Sequence, residues 1–139
     1  FFGAPFMPRN PDEYADLLGK KLDEHDTQVY LVNTGWSGGP YGVGSRMDIM
    51  LTRAMVAAAI DGSLKDVEYK QDENFKVWVP QSCPGVEDES ILTAINTWDD
   101  KAAYGERATK LAQDFAAQWK KAYADKDIDA AIAAECPGL

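Results

Sequence analysis

The chain has 139 residues, a formal charge of −9, and 45% hydrophobic and 27% charged residues, which is the composition of an ordinary globular protein. The negative charge argues against a nucleic-acid surface, and no run approaches the roughly 20 apolar residues of a membrane span. Cys83 and Cys136 are too few for a disulfide framework, so we expect free thiols in the reducing cytoplasm.

The amino-terminal part of the sequence predicts a lead-in, a helix and a strand. Prolines interrupt the apolar residues 1–9, which favours a short edge strand or an extended lead-in. Asn10 can cap a helix that has Pro11 at its first position, and Glu13 has capping-box spacing. The apolar run within residues 28–33 predicts a buried central strand. The expected buried face of the helix consists of Tyr14, Leu17, Leu18 and Leu22.

A glycine-rich loop follows this strand and precedes a second helix. Five of the eleven glycines fall within residues 35–44, and α/β folds bind nucleotides at loops between a strand and a helix. Neither common phosphate motif is complete, because Ser45 and Arg46 replace the P-loop Lys-[Ser/Thr], and Met47 replaces the last glycine of Gly-x-Gly-x-x-Gly. Spacing alone supports a ligand loop and a surface loop equally. We expect Trp36 and Tyr41 to anchor the loop on the core.

The middle of the chain predicts a helix and a hairpin. The helix begins at Thr52 and ends at Asp61, with Gly62 as its carboxyl-terminal cap. Apolar residues alternate with polar ones on both sides of residues 71–74, which is typical of a β-hairpin. Pro80 stops the second strand of this hairpin.

The longest helix is predicted to open within residues 96–100 and to reach Ala124. A last short helix should precede Pro137. The expected core stripe of the long helix consists of Tyr104, Ala108, Leu111, Phe115, Trp119 and Tyr123. The only histidine, His25, lies in an acidic turn without other metal ligands nearby in sequence, so we expect no metal site.

The segment LVNTGW at residues 31–36 is followed by the glycine run, Arg46 and TRA at residues 52–54. These segments closely resemble, in the same order, the carboxyl-terminal part of ATP-dependent phosphoenolpyruvate carboxykinase. The flanking matches are FGAPF at 2–6, YA at 14–15, DGSL at 61–64, PGV at 84–86 and NTW at 96–98. The resemblance extends from Phe2 to about Tyr123.

The resemblance implies an α/β fold, with a mixed sheet and flanking helices. Residues 1–139 would be a single domain fragment, the carboxyl-terminal part of the nucleotide-binding domain, with residues 125–139 as a tail that carries a short helix. In the family, residues at the positions of Arg46 and Thr52 contact the adenosine part of ATP, and the position of Met47 lines the same pocket. From the residues alone, Arg46 could be a solvated loop charge, and the sequence favours a plain helix cap for Thr52. We expect Arg53 to form a structural ion pair.

The resembled enzyme converts oxaloacetate and ATP into phosphoenolpyruvate, CO₂ and ADP in gluconeogenesis, with Mg²⁺ and commonly Mn²⁺. The family's P-loop, metal ligands and oxaloacetate-binding arginine precede the region represented here, so the resemblance implies no catalytic residue in this chain. The fragment would be catalytically silent, with the nucleotide and the amino-terminal part of the enzyme as its partners. The alternative is a non-enzymatic acidic α/β module that binds a small ligand or a protein partner.

Overall fold

A computed structural model describes residues 3–33 and 35–139, which form helices and two small antiparallel sheets. The helices are α1 (Pro11–His25), α2 (Ile49–Asp61), α3 (Lys101–Tyr123) and α4 (Ala130–Ala134), with short 3₁₀ turns at Ala4–Phe6, Glu89–Leu92 and Ala94–Thr97. The strands are β1 (Trp36–Ser37), β2 (Ser45–Arg46), β3 (Tyr69–Gln71) and β4 (Trp78–Pro80). The predicted mixed sheet is not found in the described residues, whose strands form only two antiparallel pairs.

The chain divides into two compact units. The first unit consists of Phe1–Val29 and Ala112–Leu139, and the second consists of Tyr30–Leu111. No helix within the described ranges is both long and apolar enough to cross a bilayer. The single domain fragment over residues 1–139 stays a prediction.

The core of the second unit forms around α2. Its buried side chains belong to Ala58, Leu64, Cys83 and Val86. The helix begins after Asp48, whose carboxylate accepts a hydrogen bond from the Met50 backbone N–H at 2.6 Å. It ends at Asp61, and Gly62 is the left-handed cap that the sequence predicts (φ 83°).

The second sheet, β3–β4, is the predicted hairpin, and Pro80 is its last residue. The Asp72 carboxylate accepts hydrogen bonds from the backbone N–H groups of Asn74 and Phe75, which builds the turn. The Tyr69 hydroxyl donates to the Leu64 carbonyl at 2.9 Å and so ties the hairpin to the core. Burial raises the pKa of Tyr69 to about 12.

Two predictions in the first part of the chain are wrong. Residues 28–33 form no strand; Leu31 is 87% exposed, and only Tyr30 of this run packs against the core cluster. The expected buried face of α1 is also wrong, since no residue of this helix is fully buried: Tyr14 and Leu22 are half-buried, and Leu17 and Leu18 are each more than half exposed.

The start of α1 follows the prediction only in part. Asn10 occupies the cap position and Pro11 the first turn, but the Asn10 side chain makes no capping hydrogen bond. Glu13 instead accepts from the Arg9 guanidinium at 2.7 Å, so no capping box forms. The lead-in contains a 3₁₀ turn at Ala4–Phe6 rather than a strand, and residues 1 and 2 lie outside the described residues.

The long helix α3 has about the predicted length, and its predicted core stripe is buried only in part. Ala108 of that stripe is buried and Tyr104, Trp119 and Tyr123 are half-buried, whereas Leu111 and Phe115 are each 48% exposed. Ala112 and Ala116 continue a buried line from Ala108 at four-residue spacing. Small side chains permit close approach of neighbouring backbone, which explains why this alanine line is covered. The Gly138 backbone shows such an approach, since a Cβ there would overlap the Ala112 carbonyl.

Candidate functional site

The predicted glycine-rich loop forms a compact hairpin, here called the glycine hairpin (residues 35–47). Its two strands pair Trp36 with Arg46 and Ser37 with Ser45. At its open end the Met47 backbone N–H donates to the Gly35 carbonyl at 3.0 Å, which adds one more backbone hydrogen bond between the two arms, just outside the strands. The hairpin therefore leads directly into Asp48, the cap of α2.

The two arms of the glycine hairpin approach each other too closely for a side chain at Gly44. A Cβ on Gly44 would lie 2.5 Å from the Gly39 carbonyl oxygen and 2.6 Å from that of Ser37. The Gly44 N–H donates to the Pro40 carbonyl at 2.9 Å, which closes the tip. Only glycine fits at this position, because the Cβ of any other residue would push the two arms apart.

A side chain distant in sequence holds the glycine hairpin in place. The Gly38 N–H donates to Thr97 Oγ1 at 3.1 Å, across 59 residues. The Thr97 hydroxyl in turn donates to the Ala94 carbonyl at 2.8 Å, within the same 3₁₀ turn. A Cβ on Gly38 would lie 3.0 Å from the Thr97 carbonyl oxygen, so the backbones at Gly38 and Thr97 approach each other closely.

The three residues predicted to bind ATP lie along the connection from β2 to α2. Arg46 is the exposed last residue of β2, and its guanidinium forms no hydrogen bond or ion pair with residues 3–33 or 35–139. Met47 is half-buried. Thr52 lies in the first turn of α2, is only 9% exposed, and donates its N–H to the Asp48 carbonyl at 3.2 Å. The helix cap is Asp48 rather than Thr52, so α2 begins three residues earlier than predicted.

Three neighbours of this connection differ from expectation. Trp36 and Tyr41 do not anchor the loop on the core: Tyr41 is 86% exposed, and the two rings pack edge to face at 5.6 Å. Arg53 forms no ion pair with any described residue, since its guanidinium contacts only the Met50 sulfur, at 3.9 Å. The aromatic rings therefore stabilise the hairpin locally, through their contact with each other.

Sequence reasoning missed two residues that shape this site. Asp48 precedes an apolar helical run, which is a cap signal that could have found it. Thr97 carries no local signal for its contact, because its partner is far away in the sequence. The part of the chain that the structure describes contains no group of three or more His, Cys, Asp or Glu side chains that could hold a metal ion.

Comparison with known proteins bears directly on this hairpin. The family model described as phosphoenolpyruvate carboxykinase, of the ATP type, matches residues 1–89. The chain belongs to this family. The part matched by the phosphoenolpyruvate carboxykinase model contains Arg46, Met47 and Thr52, whereas Thr97 lies beyond it.

Similar proteins carry the name phosphoenolpyruvate carboxykinase (ATP). One from Geobacillus kaustophilus is 54% identical over 92% of this chain and 24% of its own length. One from Brucella anthropi is 56% identical over 86% of this chain and 22% of its own length, and one from a Ruegeria species is 51% identical over 94% and 25%. The chain thus spans about a quarter of the length of the curated relatives that it matches.

Proposed function

We propose that this chain is the carboxyl-terminal part of an ATP-dependent phosphoenolpyruvate carboxykinase, which converts oxaloacetate and ATP into phosphoenolpyruvate, CO₂ and ADP. Its role is to supply the adenosine-binding wall. The observation that carries the proposal is the high identity to relatives with that name, together with the position of Arg46 and Met47 in the glycine hairpin and of Thr52 shortly after it.

The chemistry of the three residues suits an adenosine group. A guanidinium is planar and permanently charged, so it can stack on a purine or donate to ribose and phosphate oxygens. Arg46 is exposed and has no competing partner in the described ranges. A methionine thioether adapts to an aromatic ring, which suits the half-buried Met47 as a pocket wall. Thr52 would add one hydroxyl from the first turn of α2.

The metal ions do not fit the residues described here. Mg²⁺ and Mn²⁺ prefer carboxylate and other oxygen ligands, and Mn²⁺ also accepts imidazole. The described residues offer no suitable cluster, and the single histidine, His25, lies only beside Glu24 on the surface. We therefore assign the metal ligands and the catalytic residues to the rest of the polypeptide, and we expect the isolated 139 residues to be catalytically silent.

The surface of the chain fits a partner that is the remainder of the enzyme. Large apolar side chains are exposed in several parts of the chain, among them Leu18 on α1, Leu31 shortly before the glycine hairpin, and Ile49, Met50 and Ile60 on α2. Covering one such side chain contributes about 1.5–3 kcal/mol, so leaving them all in water is costly. Cys83 and Cys136 are buried and not joined in a disulfide, which agrees with our proposal of a cytoplasmic enzyme.

The test uses the full-length protein that contains this chain. We expect Arg46→Ala to raise the KM for ATP about tenfold or more, the loss of one charge-assisted contact, and Thr52→Val to raise it less. The KM for oxaloacetate should stay the same. The matched control is Arg53→Ala, which removes a neighbouring guanidinium without an assigned contact to nucleotide.

Unchanged ATP affinity in both variants would remove the adenosine role. A native product of only 139 residues would instead favour the alternative, a non-enzymatic acidic binding module.

A further inference from the structure

We propose that Thr97 is a positioning residue of the nucleotide site, which holds the glycine hairpin so that Arg46 faces the adenosine group. The inference rests on the proposed function and extends it to a residue that does not itself touch the ligand. Its basis is the hydrogen bond from the Gly38 N–H to Thr97 Oγ1.

Two hydrogen bonds, one donated and one accepted, fix the orientation of the Thr97 hydroxyl. Its proton is donated to the Ala94 carbonyl at 2.8 Å, so a lone pair of Oγ1 is left to accept from Gly38. The 3₁₀ turn that carries Thr97 is itself held by Lys101, whose ammonium donates to the carbonyls of Ile95 at 2.7 Å and Asn96 at 3.0 Å. The acceptor offered to Gly38 is therefore preorganised.

A short path of backbone contacts connects this bond to Arg46. Gly38 follows Ser37, whose partner across the sheet is Ser45, the residue before Arg46. The Ser37 carbonyl also lies against Gly44, so a displacement of one arm must displace the other. The sheet has only two residues in each strand, and an isolated hairpin of this size is marginal in water. An anchor outside the hairpin is therefore needed to fix its position.

The experiment replaces the hydroxyl in the full-length enzyme. Thr97→Val keeps the branched shape and removes the acceptor, and Thr97→Ser keeps the acceptor. The matched control is Thr93→Val, because Thr93 lies at the start of the same 3₁₀ turn and its side chain forms no capping bond. The measurements are the KM values for ATP and oxaloacetate, kcat, the melting temperature, and hydrogen exchange of peptides that cover residues 35–47.

For Thr97→Val we expect the KM for ATP to rise about three- to tenfold, the equivalent of one lost hydrogen bond. The KM for oxaloacetate and kcat at saturating ATP should change less than about twofold, within ordinary variation for residues that make no contact with oxaloacetate. Hydrogen exchange in residues 35–47 should become faster. Thr97→Ser should restore both properties, and Thr93→Val should leave them unchanged.

Several results would overturn the proposal. The first such result is an unchanged KM for ATP in Thr97→Val together with weaker ATP binding in Arg46→Ala. This would refute the positioning role of Thr97 and leave the adenosine role of Arg46 intact. Another is a failure of Thr97→Ser to restore affinity, or a parallel rise of both KM values with a lower melting temperature, which indicates a general structural role. If neither Thr97→Val nor Arg46→Ala affects ATP, the adenosine role itself is wrong and the positioning role falls with it.

Discussion

Replacing Gly44 by alanine tests whether the close approach inside the glycine hairpin shapes the nucleotide site. The added Cβ would lie 2.5 Å from the Gly39 carbonyl oxygen, whereas ordinary contacts begin at 3.4 Å. The arms must therefore separate by about 0.9 Å, and all three nearest obstacles are backbone atoms that no rotamer change can move. Overpacking of this kind costs about 1–3 kcal/mol. Since β2 ends at Arg46, the displacement reaches the guanidinium directly.

The assay is ATP binding by titration calorimetry on the full-length protein, with hydrogen exchange across residues 35–47. If the lower end of this cost, about 1 kcal/mol, is lost from ATP binding, the Kd becomes about fivefold weaker, which we expect as the minimum for Gly44→Ala. The control is Gly42→Asn, because a Cβ at Gly42 meets nothing within 4 Å and asparagine tolerates its left-handed backbone (φ 87°). Native affinity and native exchange in Gly44→Ala would refute the reasoning.

Four further predictions concern stability and reactivity. Tyr69→Phe should lower stability by about 1 kcal/mol, since it removes the donor to a core carbonyl. The pKa of Tyr69 is raised to about 12 in the folded protein. The part of the stability that depends on the protonated Tyr69 hydroxyl should therefore be fully present below pH 10 and decline between pH 10 and 12. Thermal melts of the wild type and of Tyr69→Phe across this pH range measure the difference. Gly138→Ala should speed proteolysis of the last residues, because the added Cβ would overlap the Ala112 carbonyl. Gly105→Ala, where a Cβ meets nothing within 4 Å, should stabilise the helix by about 0.5–1 kcal/mol and so raise the melting temperature. Burial raises the pKa of Cys83, so a thiol reagent at neutral pH should label it only after denaturation.

Local signals predicted the parts of the fold that local interactions build. The cap at Gly62 and the hairpin around Asp72 depend on a few consecutive residues, and both were predicted correctly. The strand over residues 28–33 and the buried face of α1 depend on partners elsewhere in the molecule, so their patterns alone could not decide them. In α3 the predicted stripe holds at Ala108 and fails at Leu111 and Phe115, because packing rather than hydrophobicity selected the line that continues through Ala112.

The candidate site was predictable to a similar extent. Arg46, Met47 and Thr52 follow from a resemblance to a family, since spacing alone left the glycine loop ambiguous. The closeness of the hairpin arms at Gly44 and the support from Thr97 needed coordinates, because both arise from backbone atoms that meet across a turn or across the chain.

The exposed apolar side chains of residues 28–33 have a consequence for the fate of the polypeptide. These residues belong to no strand, and Val29 and Leu31 are 60% and 87% exposed, which favours association between chains. The charge of −9 opposes such self-association only through long-range repulsion, which salt screens. A ribosome product or proteolytic remnant limited to these residues would therefore be a natural client for chaperones and degradation.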